Sequence, residues 1–201
     1  MRCFVAIEID PGLRKALATL QDELRPGVSG VSWTKPENIH LTLKFLGEIE
    51  ERRAERVGRV LAELAPRLTG GTVESRGVGC FPNARNPRVI WAGFEDDRGV
   101  LVTIANAIEG ELSKIGFPRE RRPFRAHLTL ARVRPNFRAA GRDAGRTPDL
   151  LGGHDVRDNG WSAPDFQDRI ARHENQSFGP TLVNEIAFFQ SQLDPKGSIY
   201  T

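Results

Sequence analysis

Cysteines are scarce and long apolar runs are absent in this chain of 201 residues. Its two cysteines, Cys3 and Cys80, are too few for a disulfide framework and lack the spacing of metal ligands, so we expect both to be reduced and inert. No apolar run approaches the roughly 20 residues that a membrane helix needs. The apolar stretch 3–9 is interrupted by Glu8 and is too short for a signal peptide. These absences predict a cytoplasmic protein with no membrane partner.

Lysine is also scarce, with five lysines against 24 arginines. Nine of the arginines lie between residues 119 and 146, where Glu120 and Asp143 are the only acidic residues. A GC-rich genome would explain the preference for arginine, but it would not explain the clustering. Because a guanidinium group can bind phosphate through two parallel hydrogen bonds, the cluster predicts a site for a phosphate group or a polyanion.

The apolar residues follow strand and helix spacing along most of the chain. Strands are predicted at 2–9, 31–33, 39–46, 72–78, 88–94, 126–133 and 183–193, and helices at 13–24, 50–64 and 101–115. This order predicts an α+β fold with two pseudo-repeated lobes, each an antiparallel sheet with helices, around a central cleft. We expect one bilobal domain over residues 1–201. Residues 136–180 are polar and predict an inserted surface loop with a short helix around 165–173.

Histidine is rare as well, and two of the four histidines occur in the same tetrapeptide, HLTL, at residues 40–43 and 127–130. Successive side chains of a strand point to opposite faces. In the first copy, Ile39, Leu41, Leu43 and Phe45 would therefore face the core, and His40, Thr42 and Lys44 would face away from it. His127 and Thr129 would do the same in the second copy. Two such strands facing each other would line a cleft with two histidines and two threonines.

This set of side chains restricts the chemistry of the cleft. Neither copy has a third ligand at metal spacing, and neither has the nucleophile elbow or the orienting aspartate of a serine triad. Paired imidazoles suit phosphodiester chemistry, because one can accept a proton from the attacking oxygen while the other donates a proton to the leaving oxygen. The threonine hydroxyls and a nearby arginine can stabilise charge on the phosphate.

Two such His-x-Thr-x motifs, 87 residues apart, resemble those of the 2H phosphoesterase superfamily. The wider sequence is similar to its bacterial and archaeal branch, the RNA 2′,3′-cyclic phosphodiesterases, also called 2′-5′ RNA ligases. The similar segments occur in the same order and cover nearly the whole chain except 136–180. They are RCFVAIEI (2–9), NIHLTLKFLGEI (38–49), FPNARNPRVIWAGF (81–94), RPFRAHLTLARV (122–133) and FFQSQLDPKGSIY (188–200).

The resemblance implies hydrolysis of a 2′,3′-cyclic phosphate at an RNA end to a 2′-phosphate, without a metal or cofactor. By analogy, His40 would donate a proton to the leaving 3′-oxygen and His127 would activate water, although the symmetry of the motifs leaves these roles exchangeable. Thr42 and Thr129 would hold the phosphate. Arg132 matches a family position near the phosphate and the base, and Arg125 is a further candidate for substrate binding. The expected partners are RNA termini or cyclic nucleotides, and the expected state is a monomer.

Two features depart from the family pattern. Ala126 stands where the family often has proline before the second histidine, and the insertion at 136–180 is longer and more polar than expected. His154 and His173, in that insertion, are expected to be solvated rather than catalytic. Three alternatives stay open: an RNA-binding module without turnover, a 2H phosphodiesterase acting on another small cyclic nucleotide, and reversible 2′-5′ RNA ligation as a secondary activity.

Overall fold

The computed structural model describes residues 1–139, 163–194 and 197–200. Its helices are α1 (Pro11–Leu24), α2 (Glu51–Leu64), α3 (Val100–Lys114) and α4 (Ala163–Arg172), with 3₁₀ turns at Pro36–Asn38 and Ala65–Arg67. Its strands are β1 (Arg2–Glu8), β2 (Val28–Trp33), β3 (His40–Glu48), β4 (Gly71–Phe81), β5 (Val89–Glu95), β6 (His127–Ala139), β7 (Ser177–Val183), β8 (Ala187–Asp194) and β9 (Gly197–Tyr200). No helix in these ranges has the length and apolar character needed to span a membrane.

All nine strands belong to one antiparallel sheet, which consists of two halves. One half has the order β3-β1-β8-β9, and the other has the order β7-β4-β5-β6, with β2 also paired to β6. The halves meet where β3 pairs with β6, through the single pair Leu41 and Leu128. The two lobes predicted from the sequence are thus joined at the two HLTL strands, and the α+β class is confirmed.

The helices pack against one face of the sheet and form the core with it. α1 begins at a typical N-terminal cap, in which the carboxylate of Asp10 accepts hydrogen bonds from the backbone of Gly12 (2.8 Å) and Leu13 (3.0 Å) and Pro11 occupies the first turn. Leu13, Leu17, Leu20 and Leu24 of α1 are all at most 3% exposed. Each such leucine stabilises the fold by about 1.5–3 kcal/mol relative to an exposed one. These leucines anchor α1 in the core.

The two ends of the predicted insertion belong to the fold, and for them the expectation of a surface loop was wrong. β6 continues to Ala139, and β7 pairs with β4 from Ser177 onward. The predicted short helix is confirmed as α4, but it is not solvated, because Phe166 is only 2% exposed and Ile170 only 5%. Residues 140–162, including His154, lie outside the described residues.

The single strand predicted at 183–193 is instead two strands in different lobes. β7 ends at Val183, at the outer edge of one half of the sheet, and β8 begins at Ala187, beside β1 in the other half. Residues 184–186 connect the lobes. Residues 184–186 contain no glycine or proline to mark a turn, which is why the pattern alone indicated one strand.

Candidate active site

The two HLTL strands lie side by side at the junction of the lobes rather than facing each other from separate sheets. Leu41 and Leu128 form the joining pair and are 1% and 0% exposed, so both leucines point into the core. Counted along the antiparallel strands from that pair, His40 comes level with Thr129 and Thr42 comes level with His127. Since neighbouring side chains of a strand alternate, all four polar side chains share the opposite face.

A bulge in β3 changes the orientation of the residues that follow Thr42. Ala6 of β1 pairs with Thr42 and Val5 pairs with Lys44, so Leu43 has no partner in β1. Lys44 is consequently buried, at 3% exposure, and its ammonium group donates to the carboxylate of Glu109 (2.7 Å) and to the carbonyl oxygen of Pro118 (2.9 Å). The expectation that Lys44 faces the cleft was wrong.

Phe45 takes the cleft-facing place instead, and the expectation that it lies in the core was also wrong. Its side chain is 56% exposed, and its ring lies 6.2 Å from that of Phe4, which in turn stacks on His40. A register taken from one strand cannot include a bulge, because the bulge arises from pairing with the neighbouring strand.

A second bulge occurs at the equivalent place in β6. Trp91 of β5 pairs with Thr129 and Ile90 pairs with Ala131, so Leu130 is skipped. Leu130 and Ala131 are both 0% exposed, and the next residue, Arg132, is exposed on the face that carries Thr129. Both motif strands thus present histidine, threonine and, after a bulge, a third side chain to the cleft. That third residue is Phe45 in one strand and Arg132 in the other.

His40 lies in an aromatic pocket at the start of β3. Its ring stacks on Phe4 with 4.7 Å between centroids and meets the edge of Tyr200 at 5.2 Å. Its Nδ1 lies 2.8 Å from the carbonyl oxygen of Asn38, and because a carbonyl can only accept, Nδ1 carries the hydrogen. Nε2 is therefore the ring nitrogen that remains for a substrate.

The surroundings of His40 disfavour its charged form. Burial lowers the pKa of His40 to about 4, and the positive charges of Arg132 and Arg14 act in the same direction, against the hydrogen bond to Asn38. His40 is therefore a neutral imidazole near pH 7, with an unprotonated Nε2.

His127 has the same local hydrogen bond in a different environment. Its Nδ1 donates to the carbonyl oxygen of Arg125 at 2.7 Å, which again leaves Nε2 for the substrate. Its ring meets the ring of Phe81 edge-on at 5.2 Å, and Phe81 in turn packs against Trp91 at 5.2 Å. Both histidines thus share one tautomer, set by the backbone two residues earlier.

Comparisons with known proteins identify the family of this chain. A family model described as LigT like Phosphoesterase matches residues 7–91. A protein of Archaeoglobus fulgidus named RNA 2′,3′-cyclic phosphodiesterase is 36% identical over 200 residues, which cover 100% of this chain and 96% of that protein. The chain belongs to the LigT-like phosphoesterase family. The resemblance to the 2H phosphoesterase superfamily predicted from the motifs is thereby confirmed.

Further relatives of this LigT-like phosphoesterase match over the same length. A protein of Methanothermobacter thermautotrophicus with the same name is 30% identical over 201 residues, covering 100% of this chain and 95% of that protein. The crystal structure of TT0787 of Thermus thermophilus aligns with a TM-score of 0.72 and 26% identity, covering 100% of this chain and 94% of that one. Escherichia coli LigT, in a crystal structure with 3′-AMP, aligns with a TM-score of 0.69 and 21% identity, over 100% and 93% of the chains, which shows the same fold.

The structure brings most of the predicted site residues of this phosphoesterase to one place. His40, Thr42, His127 and Thr129 share the cleft face at the lobe junction, and Arg132 follows on the same face. Arg125 is exposed beside His127, and its described contact with the site is made by its backbone carbonyl. Of the described ranges, none contains three or more histidine, cysteine, aspartate or glutamate side chains grouped as for a metal ion. A reaction without metal stays a prediction.

Sequence reasoning missed the aromatic residues that surround His40. Phe4 stacks on Phe189 with centroids 5.2 Å apart and meets Tyr200 edge-on at 5.1 Å, so strands β1, β8 and β9 all contribute to this pocket. Alternation in β1 could have placed Phe4 on the cleft face, since Cys3 and Val5 are core residues. Nothing local to β9 indicated that Tyr200 reaches His40, because that contact depends on the order of strands in the sheet.

Proposed function

We propose that this protein hydrolyses the 2′,3′-cyclic phosphate at the 3′ end of RNA to a 2′-phosphate, with His40 and His127 as the acid–base pair. The observation that carries the proposal is the presence of two His-Thr pairs on one sheet face. In each pair, Nδ1 of the histidine donates its hydrogen to a backbone carbonyl oxygen, which leaves Nε2 for the substrate. Relatives that align over the full length of the chain and are named RNA 2′,3′-cyclic phosphodiesterase support the choice of substrate.

The surroundings of the two histidines support an assignment of their roles. His40 is neutral near pH 7, so it is suited to accept a proton, and we assign it as the base that activates water. His127, in its protonated form, then donates from Nε2 to the leaving 3′-oxygen. This is the reverse of the assignment implied by the family resemblance. A bound phosphate, being anionic, would raise the pKa of His40 and so strengthen it as a base.

His40 and His127 together account for both proton transfers of the reaction. The water oxygen forms a bond to phosphorus, the bond from phosphorus to the 3′-oxygen breaks, and the 2′-oxygen keeps the phosphate. One proton passes from water to His40 and one passes from His127 to the 3′-oxygen. Thr42, Thr129 and Arg132 can donate hydrogen bonds to the non-bridging oxygens, where negative charge increases in the transition state.

The experiment is incubation of an RNA with a 2′,3′-cyclic phosphate end in excess EDTA, with the product identified by phosphorus NMR. We expect a 2′-phosphate product, and we expect His40→Ala and His127→Ala each to lower kcat by roughly 10²- to 10⁴-fold. His173→Ala, which removes a histidine outside the cleft, is the control. Full turnover in both cleft variants would refute catalysis by these histidines, and loss of turnover in EDTA would refute a reaction without metal.

A substrate with sulfur in place of the 3′-bridging oxygen distinguishes the acid from the base. A thiolate leaves without protonation, so loss of the general acid costs little with this substrate. We expect the sulfur substrate to restore turnover to His127→Ala but not to His40→Ala. Rescue of His40→Ala instead would give His40 the role of acid.

Exposed arginines close in sequence to His127 and Arg132 favour one further candidate, an RNA-binding module without turnover. Arg121, Arg122 and Arg134 are exposed, and within the described ranges none of them forms an ion pair. A binding module would bind RNA equally well after either histidine substitution and would release no product. The turnover experiment therefore decides between the two functions.

Reversible 2′-5′ RNA ligation uses the same groups, with the 5′-hydroxyl of a second RNA in the place of water. We propose it as a secondary activity that requires a high concentration of 5′-hydroxyl ends, because water competes for the same phosphate. A time course with both RNA ends, analysed for a joined product, tests it. We further propose that one bilobal domain, acting as a cytoplasmic monomer, carries out this chemistry.

A further inference from the structure

The orientation of His40 depends on the 3₁₀ turn Pro36–Asn38 that precedes it. The turn is closed by hydrogen bonds from the backbone of Asn38 to Lys35 (2.8 Å) and of Ile39 to Pro36 (3.2 Å). The last residue of the turn supplies the carbonyl oxygen that accepts from Nδ1 of His40, at 2.8 Å. Any movement of the turn would therefore be transmitted to the imidazole.

The guanidinium group of Arg14 in α1 binds the backbone of this turn. Its Nη1 donates to the carbonyl oxygens of Pro36 (3.0 Å) and Glu37 (2.6 Å), and its Nη2 donates to that of Ile9 (3.2 Å). One guanidinium group thus joins the end of β1 to the two turn residues whose carbonyls precede the one that binds His40. A planar group with five donors can make these bonds together, whereas a lysine ammonium cannot reproduce that geometry.

α1 is anchored in the core where it carries Arg14, because Leu13, one residue before, and Leu17, three residues after, are 3% and 0% exposed. Arg14 itself is partly buried, so its hydrogen bonds to Pro36 and Ile9 are partly shielded from water, whereas the one to Glu37 is exposed. The guanidinium group makes no described contact with the segment that leads to His127. The two histidines therefore share a tautomer. The backbone carbonyl that selects it lies in a turn bound by Arg14 for His40, but not for His127.

We propose that Arg14 is a positioning residue for His40, which holds the turn so that Nδ1 keeps its hydrogen and Nε2 remains free for the substrate. Its consequence for catalysis rests on the proposed function, but its effect on the tautomer does not. If the turn relaxes, Nδ1 loses its fixed acceptor, and the neutral ring can place its hydrogen on either nitrogen. Only the tautomer with a free Nε2 can act on a substrate in the cleft.

Nitrogen-15 NMR of the histidine side chains at pH 7.5 tests this directly, since the shifts of Nδ1 and Nε2 report which atom carries the hydrogen. We expect a single Nδ1–H tautomer for His40 in the unaltered protein and a mixture in Arg14→Met. The His127 signals should not change and are the internal control for folding. Lys15→Met, at the exposed neighbouring position of α1, should leave both histidines unchanged.

Kinetics with a cyclic phosphate RNA end give the second measurement. We expect Arg14→Met to lower kcat by roughly 10-fold or more with a much smaller change in KM, because a misplaced catalytic group costs rate rather than binding. Arg14→Lys should recover only part of this loss. If Arg14→Met folds poorly, Arg14→Gln, which keeps two donors, provides the same comparison.

The outcomes are distinguishable. A single Nδ1–H tautomer of His40 in the folded Arg14→Met and Arg14→Gln variants would overturn the inference, whatever their activity. A mixed tautomer in a protein whose unaltered form shows no turnover would support the positioning role and refute the proposed function. An equal change in His127 and His40 would show a general effect on folding and would also overturn the inference.

Discussion

His40 and His127 have the same hydrogen bond through Nδ1, but only the neighbours of His40 enclose it. Phe4 covers one side of its ring and Tyr200 contacts it edge-on, whereas the described ring contact of His127 is with Phe81 alone. The difference arises outside the HLTL motifs, in β1 and β9. Two identical tetrapeptides thus place their histidines in different surroundings, because each strand lies in its own lobe.

The lowered pKa of His40 makes folding stability depend on pH. In the unfolded chain this histidine binds a proton below about pH 6.5, whereas in the folded protein it does so only below about 4. Between these values the unfolded state binds more protons, so the contribution of His40 is fully present above pH 6.5 and is lost as the pH falls toward 4. The loss is on the order of 3 kcal/mol.

Urea unfolding of the unaltered protein and of His40→Asn, measured from pH 4 to pH 7.5, checks this expectation. The free energy of unfolding of the unaltered protein should fall relative to that of the variant as the pH is lowered through the window. Two curves that stay parallel would show that His40 titrates alike in both states. NMR titration of the His40 ring gives the same pKa directly.

At the scale of elements, simple alternation predicted the first part of each motif strand and failed after it. His40, Thr42 and the buried Leu41 follow the period of two, but Lys44 and Phe45 do not. The failure has a physical cause, because the bulge is set by pairing with β1, which the sequence of β3 does not contain. The same kind of bulge in β6 brings Arg132 to the cleft, so a position expected from the family resemblance depends on geometry that alternation alone cannot supply.

The buried Lys44 provides a prediction about the link between β3 and α3. Its ammonium is paired with Glu109 at 2.7 Å, with side chains 2% and 16% exposed. Lys44→Met would leave that carboxylate without its partner, and we expect a loss of roughly 3 kcal/mol in the free energy of unfolding. Activity per folded molecule should change little, because Lys44 does not face the cleft.

A matched control lies on α3, the helix that carries Glu109. Lys114 pairs with Glu111 at 2.8 Å, but its side chain is 68% exposed, so Lys114→Met should cost well below about 1 kcal/mol. Chemical denaturation of both variants gives the comparison. If Lys44→Met instead lowered kcat/KM while stability was unchanged, the alternation expected from the sequence would be correct and the bulge would be wrong.

At the scale of the whole molecule, the architecture was predictable from the family resemblance, but the packing of α4 into the core was not. Arg169 of α4 donates to the carbonyl oxygens of Leu24 (3.2 Å) and Pro26 (2.8 Å), which ties this helix to the end of α1. The surrounding sequence is polar and indicated a solvated loop. A few apolar residues suffice here because most of the core comes from other elements.

The distribution of charge over the molecule predicts which substrates are preferred. The exposed Arg121 and Arg122 precede His127, and Arg134 follows Arg132 on β6, so cationic side chains flank the candidate site along the chain. A single nucleotide would occupy only the site itself, whereas a longer RNA would bring further phosphates to these arginines. We expect kcat/KM for a cyclic phosphate end to rise by about 10-fold or more from a mononucleotide to an oligonucleotide in low salt.

Substitution of Arg121 and Arg122 by glutamine tests whether these arginines cause that preference. The double variant should lose much of the advantage of the oligonucleotide, together with part of its salt dependence, while turnover of the mononucleotide is unchanged. Arg56→Gln with Arg59→Gln on α2 makes the same change in net charge at another exposed place, and it should preserve the advantage. Equal losses in both double variants would mean that net charge alone attracts RNA. If the unaltered protein shows no advantage for the oligonucleotide even in low salt, it contacts only the terminal nucleotide. Contacts with further phosphates would be strongest in low salt, where screening is weakest.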